Sequence, residues 1–162
     1  MQRFFIDAQG YLIGSYDGPD PHPFGENTTA LDHGPTDGRM RWDGTAWCLD
    51  KSILLEVAAE KRWRVEQGGT TWNSWALPTD DRSQSKYQAE LAAVNEGVRL
   101  DGDFWKFPHG FEPITNTQIR AMAIQARQHV LGSFAHEAQL QGLIMLGQIT
   151  TPEQIENWEG WQ

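Results

Sequence analysis

The chain has 162 residues with 13 Lys or Arg and 22 Asp or Glu, so its net charge is −9. A chain of this length buries roughly two-thirds of its unfolded surface and can fold without disulfides or metal, and its single cysteine, Cys48, excludes an intramolecular disulfide. The negative charge repels phosphate groups, which argues against nucleic acid and anionic membranes as partners.

The N-terminus predicts neither a secretory signal nor a membrane anchor. Its first residues, MQRFFIDAQGYLIG, lack the long apolar segment of a signal peptide. No run of about 18 apolar residues occurs elsewhere, so no membrane-spanning helix is predicted. We therefore expect the protein to be made and folded in the cytoplasm.

Residues 1–48 are predicted to form a β-hairpin module. β-prone residues on both sides of Gly10 predict a first hairpin. Residues 17–38 are rich in Pro and Gly, which predicts a surface loop with little regular structure that serves as a linker or docking arm. Asp43-Gly44 lies between two short β-prone segments and is typical of a type I′ turn, which predicts a second hairpin.

Residues 49–162 are predicted to form a mainly helical domain. Asp50 is placed to cap a first helix, and two glycines follow its last apolar residue. Asp80 or Asp81 is placed to cap a second helix over about residues 82–95. Together with the N-terminal hairpins, these helices predict an α+β fold.

Two short hairpins are predicted within this domain, at residues 70–77 around Asn73-Ser74 and at residues 104–111. Thr115 begins the longest predicted helix, of about 30 residues and roughly 45 Å. If this helix is longer than the body it packs against, its excess apolar surface must be covered by a partner or by a second copy, so self-association through the long helix is one of the expected contacts.

The chain is predicted to end in a short helix and a packed tail. Thr151 is placed to cap the helix, with Pro152 at its first position. Trp158 and Trp161 follow, and we expect these two side chains to pack against the rest of the protein.

No residue pattern predicts catalysis, a cofactor or a metal ion. His129 and His136 are about 10.5 Å apart along one helix face, too far apart for one metal. Turn chemistry explains the acidic residues of the first loop and those around Gly102 better than a cation site does. A glycosidase pair among the carboxylates cannot be assigned without a known separation. A nucleophile elbow and a phosphate-binding glycine loop are both absent from the sequence. We therefore predict that the protein is not an enzyme.

The eight tryptophans are the most unusual feature of the composition. Tryptophan is favoured both in cores and at protein interfaces, so the simplest interpretation is that most of them fill a small core. The predicted hairpins carry five that could form one aromatic face. We treat these five as candidate partner-binding residues: Trp42, Trp47, Trp72, Trp75 and Trp105.

Several short motifs follow one another in a recognisable order: Lys61-Arg62-Trp63-Arg64, Gly68-Gly69, Pro78-Thr79-Asp80, Arg82-Ser83-Gln84, Trp105-Lys106, Gly110-Phe111, Ile114-Thr115, and His129-Val130 with Phe134. Over about residues 56–147 this order resembles an uncharacterised C-terminal domain found in tailed-phage and prophage tail and tail-fibre-assembly proteins. The segment Arg41-Trp42-Asp43-Gly44, followed by Trp47, also resembles the N-terminal module of tail-fibre-assembly chaperones.

The resemblance implies an assembly or accessory role at the tail fibre, and it implies no catalytic residues. The expected partner is the tail fibre or another tail protein, contacted by Trp42, Trp47 and the 17–38 loop. The expected location is the cytoplasm of the bacterial host during assembly, with the virion tail as the second expected location. Two alternatives stay open: a permanent structural component of the tail, baseplate or fibre, and a carbohydrate-binding module that uses tryptophans as stacking platforms.

Overall fold

The computed structural model describes residues 1–161 and has the predicted α+β fold, which combines small antiparallel sheets with four α-helices. The strands are β1 (Arg3–Ile6), β2 (Leu12–Tyr16), β3 (Thr29–Leu31), β4 (Met40–Trp42), β5 (Trp47–Leu49), β6 (Thr70–Trp72), β7 (Trp75–Leu77), β8 (Asp103–Phe107) and β9 (Gly110–Ile114). The helices are α1 (Lys51–Gln67), α2 (Asp81–Asn95), α3 (Asn116–Met145) and α4 (Pro152–Glu156), and a 3₁₀ turn covers Glu159–Trp161.

The chain divides into two compact units. Unit 1 comprises Met1–Val57 and Leu143–Glu156, and unit 2 comprises Ala58–Gly142 and Asn157–Gln162. The division falls inside helices α1 and α3, so each of these helices contributes residues to both units. The predicted organisation places a module at residues 1–48 and a domain at residues 49–162. It stays a prediction, because the division into compact units does not test whether either segment folds by itself.

Unit 1 contains a three-stranded sheet in the order β2-β1-β3. The first hairpin, β1-β2, is as predicted, but strand β3 lies inside the 17–38 segment, so the prediction of little regular structure there was wrong in this part. Strand β1 has two hydrogen-bonding edges and β2 occupies only one of them, which leaves the other free for Thr29–Leu31. The loop also packs inward, since the Phe24 ring centroid lies 5.0 Å from that of the buried Phe5.

The second hairpin, β4-β5, forms as predicted but with a different turn. Trp42 pairs with Trp47, which places Gly44 and Thr45, and not Asp43 and Gly44, at the centre of the turn. Gly44 has a φ of 108°, whereas Asp43 is outside the left-handed region. The Asp43 carboxylate accepts the Thr45 N–H at 2.8 Å, and this local bond competes with a type I′ turn. The type I′ prediction was therefore wrong in register by one residue and wrong in turn type, because Thr45 does not have the positive φ that a type I′ turn requires.

The hairpin β6-β7 has the type I′ turn that was predicted for the hairpin β4-β5. Its two central residues, Asn73 and Ser74, have φ values of 49° and 68°. A type I′ turn requires positive φ at both of these positions, and asparagine tolerates that conformation better than most residues. The turn places Trp72 directly opposite Trp75.

The helices begin where capping side chains were predicted. Asp50 Oδ1 accepts the Ser52 N–H at 2.9 Å at the start of α1. At the start of α3, Thr115 Oγ1 accepts the Gln118 N–H at 3.2 Å, and Gln118 Oε1 accepts the Thr115 N–H at 2.9 Å. Such a reciprocal pair satisfies two backbone donors that a helix start otherwise leaves without a partner. Thr151 caps α4, as predicted.

Asp80 is the cap of α2, and its removal should destabilise the protein in a pH-dependent way. Its carboxylate accepts the Ser83 hydroxyl at 2.6 Å and the Ser83 N–H at 3.1 Å. These bonds, the hydroxyl bond first, lower the pKa of Asp80 below its usual value. We expect Asp80→Ala to lower the free energy of unfolding by about 1 kcal/mol at neutral pH. The loss should shrink as the pH falls through the lowered pKa of the folded state, because the wild-type carboxyl is then neutral.

Urea unfolding of both proteins at neutral and at strongly acidic pH measures this difference. Asp81→Ala serves as the control, because Asp81 lies one residue further along and does not make the capping bonds. A loss from Asp80→Ala that is equally large at both pH values would contradict the role of the ionised cap.

The core of unit 2 is apolar and lies among α2, α3 and the hairpins β6-β7 and β8-β9. It consists of Leu77, Tyr87, Phe107, Ile114, Ile119, Met122, Ala123 and Ala126.

The predicted packing of the tail is confirmed, since the rings of Trp158 and Trp161 each lie 5.8 Å from that of His136. Within residues 1–161, no helix has the length and apolar character needed to cross a membrane.

Candidate functional site

Trp42 and Trp47 form an edge-to-face pair in unit 1. Their ring centroids are 5.8 Å apart with an interplanar angle of 68°. His33, from the 17–38 loop, lies 5.5 Å from Trp42, and its carbonyl accepts the Trp47 indole N–H at 3.0 Å. Both tryptophans are half-buried. The loop and hairpin that were expected to contact a partner therefore also contact each other.

The three candidate tryptophans of unit 2 pack against its core. Trp72 and Trp75 form a second edge-to-face pair at 5.8 Å, and Trp75 lies 4.8 Å from Phe107. Trp105 stacks on Tyr87 at 5.3 Å, with an interplanar angle of 22°. The structure thus brings Trp72 and Trp75 into contact with each other, whereas Trp105 stacks on the ring of Tyr87. Part of each of these three indole rings packs against the core. Their role in binding a partner stays a prediction.

The outer face of the β8-β9 hairpin is the most exposed aromatic surface that the structure shows in unit 2. Phe104 is 72% exposed and Phe111 is 65% exposed. Phe104 pairs with Pro113 across the strands, and Lys106 pairs with Phe111. Alternate residues of a strand point to opposite faces, so these four side chains share one face. We call Phe104, Lys106, Phe111 and Pro113 the outer hairpin patch.

The sequence analysis chose Trp105, on the inner face of this hairpin, as its candidate and did not choose the exposed outer face. Trp105 and Phe107 alternate with Phe104 and Lys106, and Phe107 is 1% exposed within the core. The alternation was visible in the sequence, but both faces contain an aromatic residue, so the alternation alone could not distinguish inside from outside. The lysine between Trp105 and Phe107 was the available signal, because lysine is almost never fully buried.

The buried Arg99 holds the base of the hairpin in place. Its Nε donates to Glu90 Oε2 on α2 at 2.6 Å, and its Nη2 donates to the Ile114 carbonyl on β9 at 3.0 Å. Its Nη1 donates to Asn116 Oδ1 at the start of α3 at 2.8 Å. One guanidinium therefore joins α2, β9 and α3, which positions the outer hairpin patch on a rigid support.

Tyr87 supports the β8-β9 hairpin through its hydroxyl and its ring. Its hydroxyl donates to the Pro78 carbonyl at 2.9 Å, and its ring carries Trp105. Burial raises the pKa of Tyr87 to about 12. The hydroxyl consequently stays protonated at neutral pH and keeps its hydrogen bond.

The two histidines of α3 have structural contacts. His129 Nε2 lies 2.8 Å from the Val65 carbonyl, and His136 contacts two tryptophan rings. Among residues 1–161, no group of three or more His, Cys, Asp or Glu side chains is placed to hold a metal ion.

A family model matches residues 50–158 of the chain, a span that contains the 56–147 region of the resemblance. No curated protein and no solved structure matches the chain. The matched span covers more than half of the sequence and includes helices α1 to α3 and both hairpins of unit 2. The chain belongs to the family described as a domain of unknown function (DUF4376).

Proposed function

We propose that this protein is a non-enzymatic, phage tail-associated protein that binds the tail fibre and assists its assembly or attachment. The observation that carries the binding role is the outer hairpin patch, which presents two largely exposed phenylalanines on a supported hairpin. The phage role is supported by the resemblance of the motif order in residues 56–147 to tail and tail-fibre-assembly proteins. Function in the cytoplasm of the bacterial host during assembly belongs to the same proposal, and retention in the virion tail belongs to the alternative of a permanent structural component.

The patch has the chemistry of a protein-binding anchor. Each phenylalanine that moves from water into an interface contributes roughly 1.5–3 kcal/mol, and few such residues usually carry most of the binding energy. Lys106 lies over the Phe111 ring at 5.7 Å and provides a positive charge at the edge of the patch. Because Arg99 and the core hold the hairpin, little conformational freedom is lost on binding.

The carbohydrate-binding alternative has less support from the geometry. A sugar ring stacks on a flat aromatic platform, whereas the tryptophan pairs of both hairpins meet edge to face at 66° and 68°. The permanent structural role stays open as a second proposal. Mass spectrometry of purified virions separates it from a chaperone role, since a chaperone that departs after assembly would be missing from the particles.

Co-expression with the tail fibre tests the binding role. We expect the wild-type protein to increase the yield of soluble, trimeric fibre, and we expect Phe104→Ser combined with Phe111→Ser to remove most of that increase. Trp63→Ser is the matched control, because Trp63 is an aromatic residue on α1 that is 54% exposed and lies outside the patch. Equal fibre yields with and without the wild-type protein would rule out the assembly role.

A further inference from the structure

Helix α3 has a second regular face in addition to the one that enters the core. Its core face contains Ile119, Met122, Ala126, Ser133 and Leu140, all at most 2% exposed. Eight exposed positions of unit 2 follow one another at alternating intervals of four and three residues. We call them the α3 seam: Thr117, Ala121, Ile124, Gln128, Leu131, Ala135, Ala138 and Gly142.

The spacing and chemistry of the α3 seam are those of a helix that packs along another helix. Intervals of four and three average 3.5 residues, which is the repeat of coiled-coil packing. No seam residue is charged, and Ile124 and Leu131 are 57% and 51% exposed. Residues two apart are about 200° apart around a helix, so the seam at Ile124 and Leu131 lies opposite the core face at Ala126 and Ser133.

We propose that the α3 seam packs antiparallel against the α3 seam of a second copy of this chain. If the two-fold axis passes between His129 and Val130, every seam residue meets another seam residue of the partner helix. The resulting layers pair Gln128 with Leu131, Ile124 with Ala135, Ala121 with Ala138, and Thr117 with Gly142.

Side-chain size favours the antiparallel direction. In the antiparallel layers the large Ile124 meets the small Ala135, so only the central layers of Gln128 with Leu131 contain two large side chains. A parallel pair in register would instead place Ile124 on Ile124 and Leu131 on Leu131, but Ala135 on Ala135 and Ala138 on Ala138. Such a pair would be held apart between Ile124 and Leu131 and would leave voids in the Ala135 and Ala138 layers, which costs packing energy.

Charge also favours the antiparallel direction. Arg120 and Arg127 flank the seam in the N-terminal half of α3, and both are exposed. Antiparallel packing brings Arg127 to the side of the seam where Phe134 of the second copy lies, about two residues from its own level along the helix. Beside Phe134, Arg62 forms ion pairs with both Glu66 and Glu137, and these three groups together carry one net negative charge. An arginine of the second copy therefore approaches an aromatic ring in a negative environment.

The contact area indicates a reversible dimer. The seam is about 40 Å long and a helix about 10 Å wide, which gives a strip of roughly 400 Å² per copy. A stable interface of standard size buries about 800 Å² per partner. The polar Gln128 in the seam weakens the packing further while it restricts the register.

Sedimentation analysis of the full chain over a wide concentration range tests the seam. We expect a monomer–dimer equilibrium for the wild type, and self-association weakened roughly tenfold or more by Leu131→Glu. Leu100→Glu is the matched control, since Leu100 is 67% exposed and lies at the hairpin end of unit 2. Circular dichroism confirms that each variant is folded. A wild type that stays monomeric throughout, or a dimer that Leu131→Glu leaves unchanged, would overturn the proposal.

Disulfide trapping tests the direction. In a Cys48→Ser background, which removes the single native cysteine, Ala121→Cys and Ala138→Cys chains are prepared separately and oxidised alone or as a mixture. We expect a covalent dimer from the mixture and monomers from each variant alone. A covalent dimer from Ala121→Cys alone would show parallel packing and overturn the antiparallel assignment. The fibre co-expression assay is independent of these results, because its variants lie outside the seam.

Discussion

Replacing Arg99 by methionine is expected to lower the free energy of unfolding by about 3–5 kcal/mol. The guanidinium side chain is 3% exposed and donates to the Glu90 carboxylate, the Asn116 side chain and the Ile114 carbonyl. Methionine fills similar space but donates no hydrogen bond. The carbonyl and amide oxygens would then lie in the interior without their donor, and each such loss is costly.

Urea unfolding compares this variant with two others. Arg99→Lys keeps the charge but not the planar fork, so we expect an intermediate loss. Arg82→Met removes an exposed arginine from α2 and should change stability by no more than about 0.5 kcal/mol. If the Arg99→Met protein were as stable as the Arg82→Met protein, the proposed role of Arg99 in holding the hairpin would be wrong.

The two phenylalanines of strand β8 should respond in opposite ways to the same change. Phe107→Ala is expected to lower the free energy of unfolding by about 3–5 kcal/mol, because it opens a cavity in the core of unit 2. Phe104→Ala should cost no more than about 0.5 kcal/mol, since Phe104 is 72% exposed. Fibre binding should show the reverse order, with Phe104→Ala losing binding while the protein stays folded.

Thermal unfolding and fibre co-precipitation, carried out on the same two variants, measure both effects. The variants differ by three positions on one strand, so each is the control for the other. If Phe104→Ala destabilised the protein as much as Phe107→Ala, the outer face of the hairpin would be part of the core and the proposed binding surface would be wrong.

Local signals in the sequence predicted most elements of this fold. Side-chain caps at Asp50, Asp80, Thr115 and Thr151 located the helix starts, because a capping bond depends only on residues within one turn. Strand β3 was missed because its pairing with β1 joins segments far apart in sequence. The β4-β5 turn was misplaced because the Asp43 side chain forms its own backbone bonds.

The candidate site was predicted less well than the fold. Tryptophan content indicated aromatic hairpins, and the structure shows edge-to-face pairs in two of them. Which face of a hairpin is exposed depends on what packs beneath it, and here Tyr87 on α2 lies under Trp105. Single-strand patterns do not contain that information, so Phe104 and Phe111 were not selected. The long helix was predicted, but its seam could be assigned only after the buried face was known.

The cap of helix α1 has a consequence for how such chains can diverge. The family match begins at residue 50, and Asp50 is the residue whose carboxylate begins the helix. The other oxygen of the same carboxylate accepts the Tyr11 hydroxyl from the upstream part at 3.1 Å. Because the matched region contains the residue that caps α1, a different upstream sequence joined to it by recombination would leave the first turn of α1 capped. The Tyr11 hydroxyl is a separate bond to the same carboxylate, so its loss would leave the capping bond to the Ser52 N–H in place.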